Sequence, residues 1–161
     1  MQVEIVALMA SPIHAFEGRP SDGPRPDPEP PGRASVEVRA GLGVVGDRYF
    51  GHPAHRRASV TLIAVESLEA VAAELGVPAF DPVLARRTVV LRGADVDGLA
   101  GEFTLGGVRF RAHRPANPCA WMDQALAPGA FRALRRRGGI RCAPLTSGVL
   151  RLGPTTLDRG E

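Results

Sequence analysis

The sequence contains no lysine, since all 20 of its basic residues are arginine. A lysine aldimine to pyridoxal phosphate, a lysine nucleophile and the phosphate-binding lysine of a P-loop all require a primary amine. These three mechanisms are excluded, and with them a lysine-bound pyridoxal phosphate cofactor. An anion bound by this chain would instead be held by guanidinium groups.

Aromatic residues and long apolar runs are also scarce. One Trp, one Tyr and six Phe among 161 residues predict a mainly aliphatic core. The longest apolar stretch near the start, Val3 to Ala10, carries Glu4 and is too short for a membrane span or a secretory signal. We therefore expect a cytoplasmic protein with no membrane association.

Charge and cysteine content further narrow the class of protein to which the chain could belong. The formal charge is only +3, and with few aromatic platforms beside the arginine triple 135–137 we expect no nucleic-acid partner. Two cysteines in a chain of this size do not define a disulfide framework, so reduced thiols are expected. The length predicts one domain over residues 1–161.

Hydrophobic periodicity predicts seven or eight short strands and two or three helices. The predicted strands cover residues 1–9, 35–39, 59–64, 88–91, 102–105, 108–114, 140–145 and 149–157. The predicted helices cover residues 66–75, 81–87 and 128–137. This pattern is typical of a mainly β protein, a curled antiparallel β-barrel with helices at its ends.

Six prolines between Pro20 and Pro31 interrupt this pattern. Proline lacks the backbone donor and fixes φ, so residues 11–34 are predicted to form a long loop without persistent helix or strand. Long loops in compact domains are commonly either disordered insertions or lids over a site, and the sequence leaves both alternatives open.

Cys119 is the candidate catalytic and metal-ligating residue. It follows Pro118 in a loop just after the predicted strand 108–114, where a thiolate nucleophile or a soft-metal ligand would have the partial access it needs. The alternative is an inert, buried small side chain. Cys142 alternates with Arg141 inside a predicted strand and is interpreted as a core residue without a role.

Arginines at the ends of predicted elements are candidate anion ligands. A phosphate could be bound through bidentate contacts by Arg48, Arg86 and Arg87 together. The alternative is that each arginine forms an ordinary surface ion pair with a carboxylate. Asp47 could belong to such a site or could close its own turn. A zinc set of histidines and Cys119 is a weaker alternative, because the spacing of His52, His55 and His113 matches no tight zinc motif.

Five segments resemble, in order and spacing, the motifs of the MOSC domain family, the domain found at the C-terminus of molybdenum cofactor sulfurases. The resemblance covers about residues 36–157. Its segments are the glycine-rich Gly41–Arg48, Arg86–Val90, the Gly101–Gly106 hairpin, Pro118-Cys119 and the turn Arg137–Gly139.

The resemblance implies a β-barrel-like MOSC fold and a function connected with the molybdenum cofactor (molybdopterin). In this family-based view Cys119 either ligates molybdenum or carries a sulfane sulfur as a persulfide. The residues implied in binding the cofactor are Asp47, Arg48, Arg86, Arg87, His113 and Asn117.

Two departures from the family pattern, and the expected lack of a helical or redox extension, bear on the function. Thr88 stands where the family commonly has Asn, and Gly153-Pro154 replaces its closing Gly-Asp. With no helical or redox extension expected, a cysteine desulfurase or a flavoprotein reductase would have to act as partner. The alternatives are a molybdenum-dependent reductase of N-hydroxylated compounds with an external electron donor, and a non-catalytic adaptor module.

Overall fold

The computed structural model of the chain describes residues 1–160, so Glu161, the last residue of the predicted domain, lies outside the described residues. Within that range the chain forms eleven strands, three α-helices and three 3₁₀ turns. The strands are β1 Gln2–Met9, β2 Gly32–Arg33, β3 Ser35–Arg39, β4 Gly43–Val44, β5 Val60–Ala64, β6 Val89–Arg92, β7 Glu102–Leu105, β8 Val108–Pro115, β9 Ile140–Pro144, β10 Gly148–Arg151 and β11 Gly153–Asp158. The helices are α1 Val65–Leu75, α2 Trp121–Ala125 and α3 Ala130–Ala133.

Seven strands close into a barrel in the order β11-β7-β8-β9-β5-β6-β1, and β1 pairs back with β11. Every pair is antiparallel except β5 with β6. That parallel pair needs a crossover, which α1 supplies between the two strands. The mainly β, barrel-like fold class predicted from the sequence is confirmed.

A second, three-stranded sheet in the order β10-β3-β4 helps to fill the barrel. Val36, Val38, Val44 and Leu150 from its strands are buried in the same apolar cluster as the inward side chains of the barrel. This cluster is mainly aliphatic, as the shortage of aromatic residues predicts, and also contains Cys142 and the stacked rings of Phe103 and Phe110.

The helices cover the outer face of β5 and β6. Leu68 and Val71 of α1 pack with Ile63 and Val90 of these strands, and Leu134, just after α3, joins the same cluster. Because both faces of β5 are buried, its sequence is apolar on both faces except at Thr61, rather than alternating. Between residues 1 and 160, no helix combines the length and the apolar character that a membrane span requires.

The structure differs from the sequence prediction in several places. The strands number eleven rather than seven or eight, because β2 and β4 are two-residue pairings too short to leave a periodic signal and the predicted strand 149–157 is divided at Leu152 into β10 and β11. The predicted helix at 81–87 is a 3₁₀ turn over Pro82–Ala85. The predicted helix at 128–137 is regular only over α3, since Gly129 enters it with φ +96° and Arg136 leaves it with φ +67°. The short helix α2 was not predicted.

The turn at Gly138-Gly139 packs against both β5 and the segment that follows β8, and so sets the position of one relative to the other. Gly139 has φ +93°, and a Cβ there would overlap the carbonyl oxygen of Leu62. A Cβ at Gly138 would likewise overlap the carbonyl oxygen of Ala116. Backbone therefore packs directly on backbone at this point, and glycine is required for a steric reason as well as a conformational one.

We expect Gly139→Ala to unfold the protein or to lower its free energy of unfolding by more than about 4 kcal/mol, because the new methyl group has no space. Gly101→Ala is the matched control, since Gly101 has φ +66° but open space around its Cβ position, and should lose only about 1–2 kcal/mol. Urea denaturation compares the two variants. Equal losses would mean that backbone conformation alone accounts for the glycine.

Candidate functional site

An open cavity of about 240 Å³ lies where β1 ends, β6 begins and β8 ends. Its walls come from six separate parts of the chain. The lining residues are His14, Ala15, Phe16, Arg48, Tyr49, Thr61, Arg86, Arg87, Asn117, Cys119, Trp121, Met122 and Arg141.

The cavity is cationic. Four of its lining residues are arginines, and among the described lining residues none is Asp or Glu. Two carboxylates lie behind the wall instead, where Asp47 pairs with Arg48 and Asp27 pairs with Arg86. A concave surface with one sign of charge concentrates ligands of the opposite sign, so the cavity favours an anion.

Asp47 holds Arg48 in place and does not line the cavity. Its carboxylate accepts a hydrogen bond from Arg48 at 3.0 Å and from the backbone N–H of Ser11 at 3.1 Å. The Arg48 guanidinium lies 4.5 Å from the ring centroid of Tyr49. Asp47 is thus placed to position a binding residue, and it also closes its own turn through a bond from the N–H of Tyr49 at 3.4 Å.

Arg86 connects the cavity to the proline-rich loop. Its guanidinium donates to both oxygens of Asp27, at 3.1 and 2.9 Å, and to the carbonyl of Ile13. Burial alone would raise the pKa of Asp27, but hydrogen bonds from Arg86 and Ser11 outweigh it and hold that pKa below its ordinary value.

The loop 11–34 packs against the site. Phe16 of this loop stacks on Trp121 with ring centroids 5.3 Å apart and planes 12° from parallel. Between the two alternatives that the sequence left open, this packing favours a lid over a disordered insertion. The loop also contains β2 and a 3₁₀ turn at Pro20–Asp22, so the expectation of no regular structure was wrong over these short stretches.

Arg87 is only 8% exposed and has no carboxylate partner among the described residues. Its guanidinium donates to the carbonyls of Gly138 at 3.0 Å, Ala116 at 3.3 Å and Ala85 at 3.4 Å. Burial, and after it the charge of Arg141, lowers the pKa of Arg87 to about 10. The side chain is therefore a buried cation at neutral pH, stabilised by hydrogen bonds to backbone carbonyls.

Cys119 and Asn117 are exposed and line the rim of the cavity. Cys142, by contrast, is fully buried, donates to the carbonyl of Val60, and has its pKa raised by burial. The thiol that the sequence selected is therefore the accessible one, and the thiol interpreted as a core residue lies in the core.

His113 does not lie with the other predicted site residues. It sits at the irregularity between Ala112 and Arg114 in β8, and it lines a separate depression with Asp97 and Ile140. Strand alternation could not place it, because a β-bulge changes which face each following side chain occupies.

Several cavity residues were not singled out from the sequence. Tyr49 follows Arg48 directly and Trp121 lies two residues after Cys119, so proximity to the motifs was an available signal. His14 and Phe16 lie in the loop, where no periodicity exists to orient a side chain. Arg141 and Thr61, which face each other across β9 and β5, carried no local signal either.

Histidines surround Tyr49 but do not form a metal site. The ring of Tyr49 lies 5.4 Å from His14 and 4.7 Å from His55, and His52 lies 4.8 Å from His55. Burial and neighbouring cations lower the pKa of His14 and of His55, which favours their neutral forms. Over residues 1–160 no three side chains of His, Cys, Asp or Glu are grouped so that they could hold a metal ion.

Comparisons with known proteins identify the family and the fold. The model of the MOSC domain matches residues 46–155. The fold is similar to that of the YuaD protein from Bacillus subtilis, with a TM-score of 0.72 and 18% identity over 98% of this chain and 95% of that one. It is also similar to that of YiiM from Geobacillus stearothermophilus, with a TM-score of 0.63 and 14% identity over 96% of this chain and 74% of that one. For YiiM from Escherichia coli the TM-score is 0.61 and the identity is 14%, over 98% of this chain and 69% of that one. A search of curated protein sequences finds no significant match.

We expect Arg87→Met to lower the free energy of unfolding by about 2–4 kcal/mol, because the carbonyls of Gly138 and Ala116 lose their buried donor. Arg141→Met is the control: it removes a half-buried cation from the same cavity without breaking a described hydrogen bond, and should change stability by less than about 0.5 kcal/mol. Trp121 fluorescence during urea denaturation reports both. Equal stabilities would contradict a bracing role for Arg87.

We expect Asp27→Asn to increase hydrogen exchange in residues 12–30, because the loop loses its charged contact with Arg86. Asp22→Asn, at an exposed position in the same loop, should not. Since the folded state lowers the pKa of Asp27, the stabilisation is fully present above its ordinary value of 3.8 and is lost as the pH falls from there through the lower pKa of the folded state. The difference in exchange between wild type and Asp27→Asn, measured by mass spectrometry, should therefore be larger at pH 6 than at pH 3.

Proposed function

Because the chain belongs to the MOSC domain family, we propose that it binds the molybdenum cofactor in the 240 Å³ cavity, with Cys119 as the ligand of the metal. One observation carries the proposal. The exposed thiol of Cys119 opens onto a cavity lined by four arginines and, among its described residues, by no carboxylate.

The arginines fit the phosphate of the cofactor. Guanidinium groups bind phosphate bidentately, and three of the four are held in fixed positions by described hydrogen bonds. Arg48 and Arg86 already have carboxylate partners, whereas Arg87 has only backbone carbonyls. An anion next to Arg87 would compensate its buried charge, which supports this residue as the centre of the phosphate site.

The rim fits the metal end of the cofactor. A thiolate is a soft ligand suited to molybdenum, and Asn117 offers amide donors and acceptors beside it. When bound, the cofactor supplies a redox-active metal centre. The cavity is smaller than most ligand pockets, which measure about 300–1,000 Å³, and it is open. Part of the cofactor would therefore stay outside the cavity.

Sulfur carriage is the second candidate, and the exposure of Cys119 favours it. The Cys119 thiolate would attack the outer sulfur of a persulfide on a donor such as a cysteine desulfurase. The sulfur–sulfur bond of the donor breaks, the donor thiolate leaves, and Cys119 keeps the sulfane sulfur. Cys142 is buried and could not resolve this persulfide as a disulfide.

Two further functions depend on these outcomes. Reduction of N-hydroxylated compounds requires the bound cofactor and an external flavoprotein. This activity is therefore ruled out if the chain does not bind the metal. A non-catalytic adaptor is supported by Thr88, whose hydroxyl and backbone N–H are committed to reciprocal bonds with Thr61 at 3.1 and 3.0 Å. Thr88 therefore gives the cavity no substitute for the amide that the family commonly has there.

We expect the purified chain, loaded with molybdenum cofactor, to retain one molybdenum per chain, and Cys119→Ser to lose it because a hydroxyl is a poor soft-metal ligand. Cys142→Val is the matched control: it leaves Cys119 as the single thiol and should retain the metal. Elemental analysis after gel filtration measures retention, and circular dichroism confirms that each variant is folded.

Intact-mass spectrometry separates the two candidate roles. After incubation with a cysteine desulfurase and cysteine, sulfur carriage predicts a gain of about 32 Da on Cys119, the mass of one sulfur atom. Retention of molybdenum by Cys119→Ser would refute ligation. Absence of both molybdenum and persulfide from the wild-type chain would leave the adaptor function.

A further inference from the structure

The surface around α3 combines exposed arginines with an exposed aromatic ring, and it borders the segment that leads to Cys119. Ala130 and Leu134 point inward and are fully buried, while Phe131, Arg132, Arg135 and Arg136 point outward. Phe131 is 39% exposed. We call these four outward residues the α3 face.

The arginines of the α3 face have no ion-pair partner among the described residues. Elsewhere on the surface, Arg25, Arg39 and Arg92 each contact a nearby glutamate. The adjacent Arg137 is also neutralised, by Glu74 at 2.6 Å. The carboxylate of Asp123 lies at the edge of the face, but it accepts from the backbone N–H of Phe131 at 2.8 Å. Three cations therefore remain available around one exposed ring.

Depressions lie on both sides of Phe131. One, of about 420 Å³, runs between Phe131, Arg135 and the wall formed by Asn117 and Pro118; Asp97 also lines it, but its carboxylate accepts from the backbone N–H of Gly139 at 2.9 Å. The other, of about 800 Å³, borders Phe131 and Arg132 and is also lined by Asp123 and by Glu74, the partner of Arg137. Asn117 lines both the 420 Å³ groove and the cavity that contains Cys119. The α3 face is thus continuous with the rim on which the thiol is exposed.

We propose that the α3 face docks an acidic protein that places an apolar side chain in the 420 Å³ groove beside Phe131, bringing its own reactive group to Cys119. This inference rests on the proposed function, which needs a partner to supply sulfur or electrons. The charge of the face selects acidic side chains, and Phe131 provides the desolvated contact that exposed ion pairs lack. A nucleic acid is disfavoured, since one ring and three arginines offer neither a stacking platform nor a long phosphate track.

The first test uses a short synthetic peptide of glutamate and aspartate with phenylalanine and leucine at its centre. We expect it to shift the backbone NMR signals of residues 115–119 and 129–137. Arg132→Ser/Arg135→Ser/Arg136→Ser should bind it about tenfold more weakly, as expected for three exposed ion pairs. The matched control Arg56→Ser/Arg57→Ser/Arg151→Ser removes the same charge from exposed arginines outside the face and should bind it within about twofold of wild type.

A second measurement tests whether docking reaches the thiol. Saturating peptide should slow alkylation of Cys119 by iodoacetamide several-fold in the wild-type chain and have no effect in the α3-face variant. Equal weakening by both triple variants, an unchanged alkylation rate, or equally tight binding of a duplex DNA would overturn the proposal.

Metal retention separates this inference from the proposed function. The α3 face does not line the cavity, so its triple variant should keep as much molybdenum as wild type. If both triple variants weaken peptide binding equally while the wild-type chain retains molybdenum, only the docking surface is refuted. A wild-type chain that binds the peptide but holds neither molybdenum nor persulfide would refute the proposed function alone.

Discussion

The hydrogen bonds of one buried guanidinium hold together the segments that build the cavity. Arg87 donates to carbonyls before β6, after β8 and in the turn before β9. The same turn packs backbone to backbone on β5 through Gly139. With these contacts in place, the segment that carries Asn117 and Cys119 has a defined position relative to the barrel, and the rim of the cavity follows from it.

Concentrating arginines in a small cavity is unfavourable, and the structure offsets the repulsion differently at each one. Arg48 is paired with its neighbour in sequence, Asp47, and Arg86 is paired with Asp27 of the loop. Arg87 relies on carbonyl dipoles, and Arg141 is half-exposed to water. The cavity therefore keeps a cationic surface at tolerable free energy, without the lysine that many phosphate sites use.

The barrel was predictable because alternation, the Gly106-Gly107 hairpin and the apolar run of β5 are local signals. Arg48, Arg86, Arg87, Asn117 and Cys119 could be selected because they lie in motifs at element ends, and all five line one cavity. The partners Asp27 and Phe16 could not be foreseen, since their positions depend on how a proline-rich loop folds back. His113 lies apart from these five for a related reason, because the irregularity in β8 cannot be detected from a period of two.

The seam of the barrel has a consequence for the order of events during biosynthesis. Among the described strands, β1 is the first to leave the ribosome and pairs with β11, the last of them, in a register that joins Gln2 to Thr156 and Ile5 to Gly153. A nascent chain cannot complete this pairing until Thr156 has emerged. Such distant contacts form slowly, so the barrel that carries the cavity walls closes only after translation of the strands is finished, and any cofactor that requires the closed barrel must be loaded afterwards.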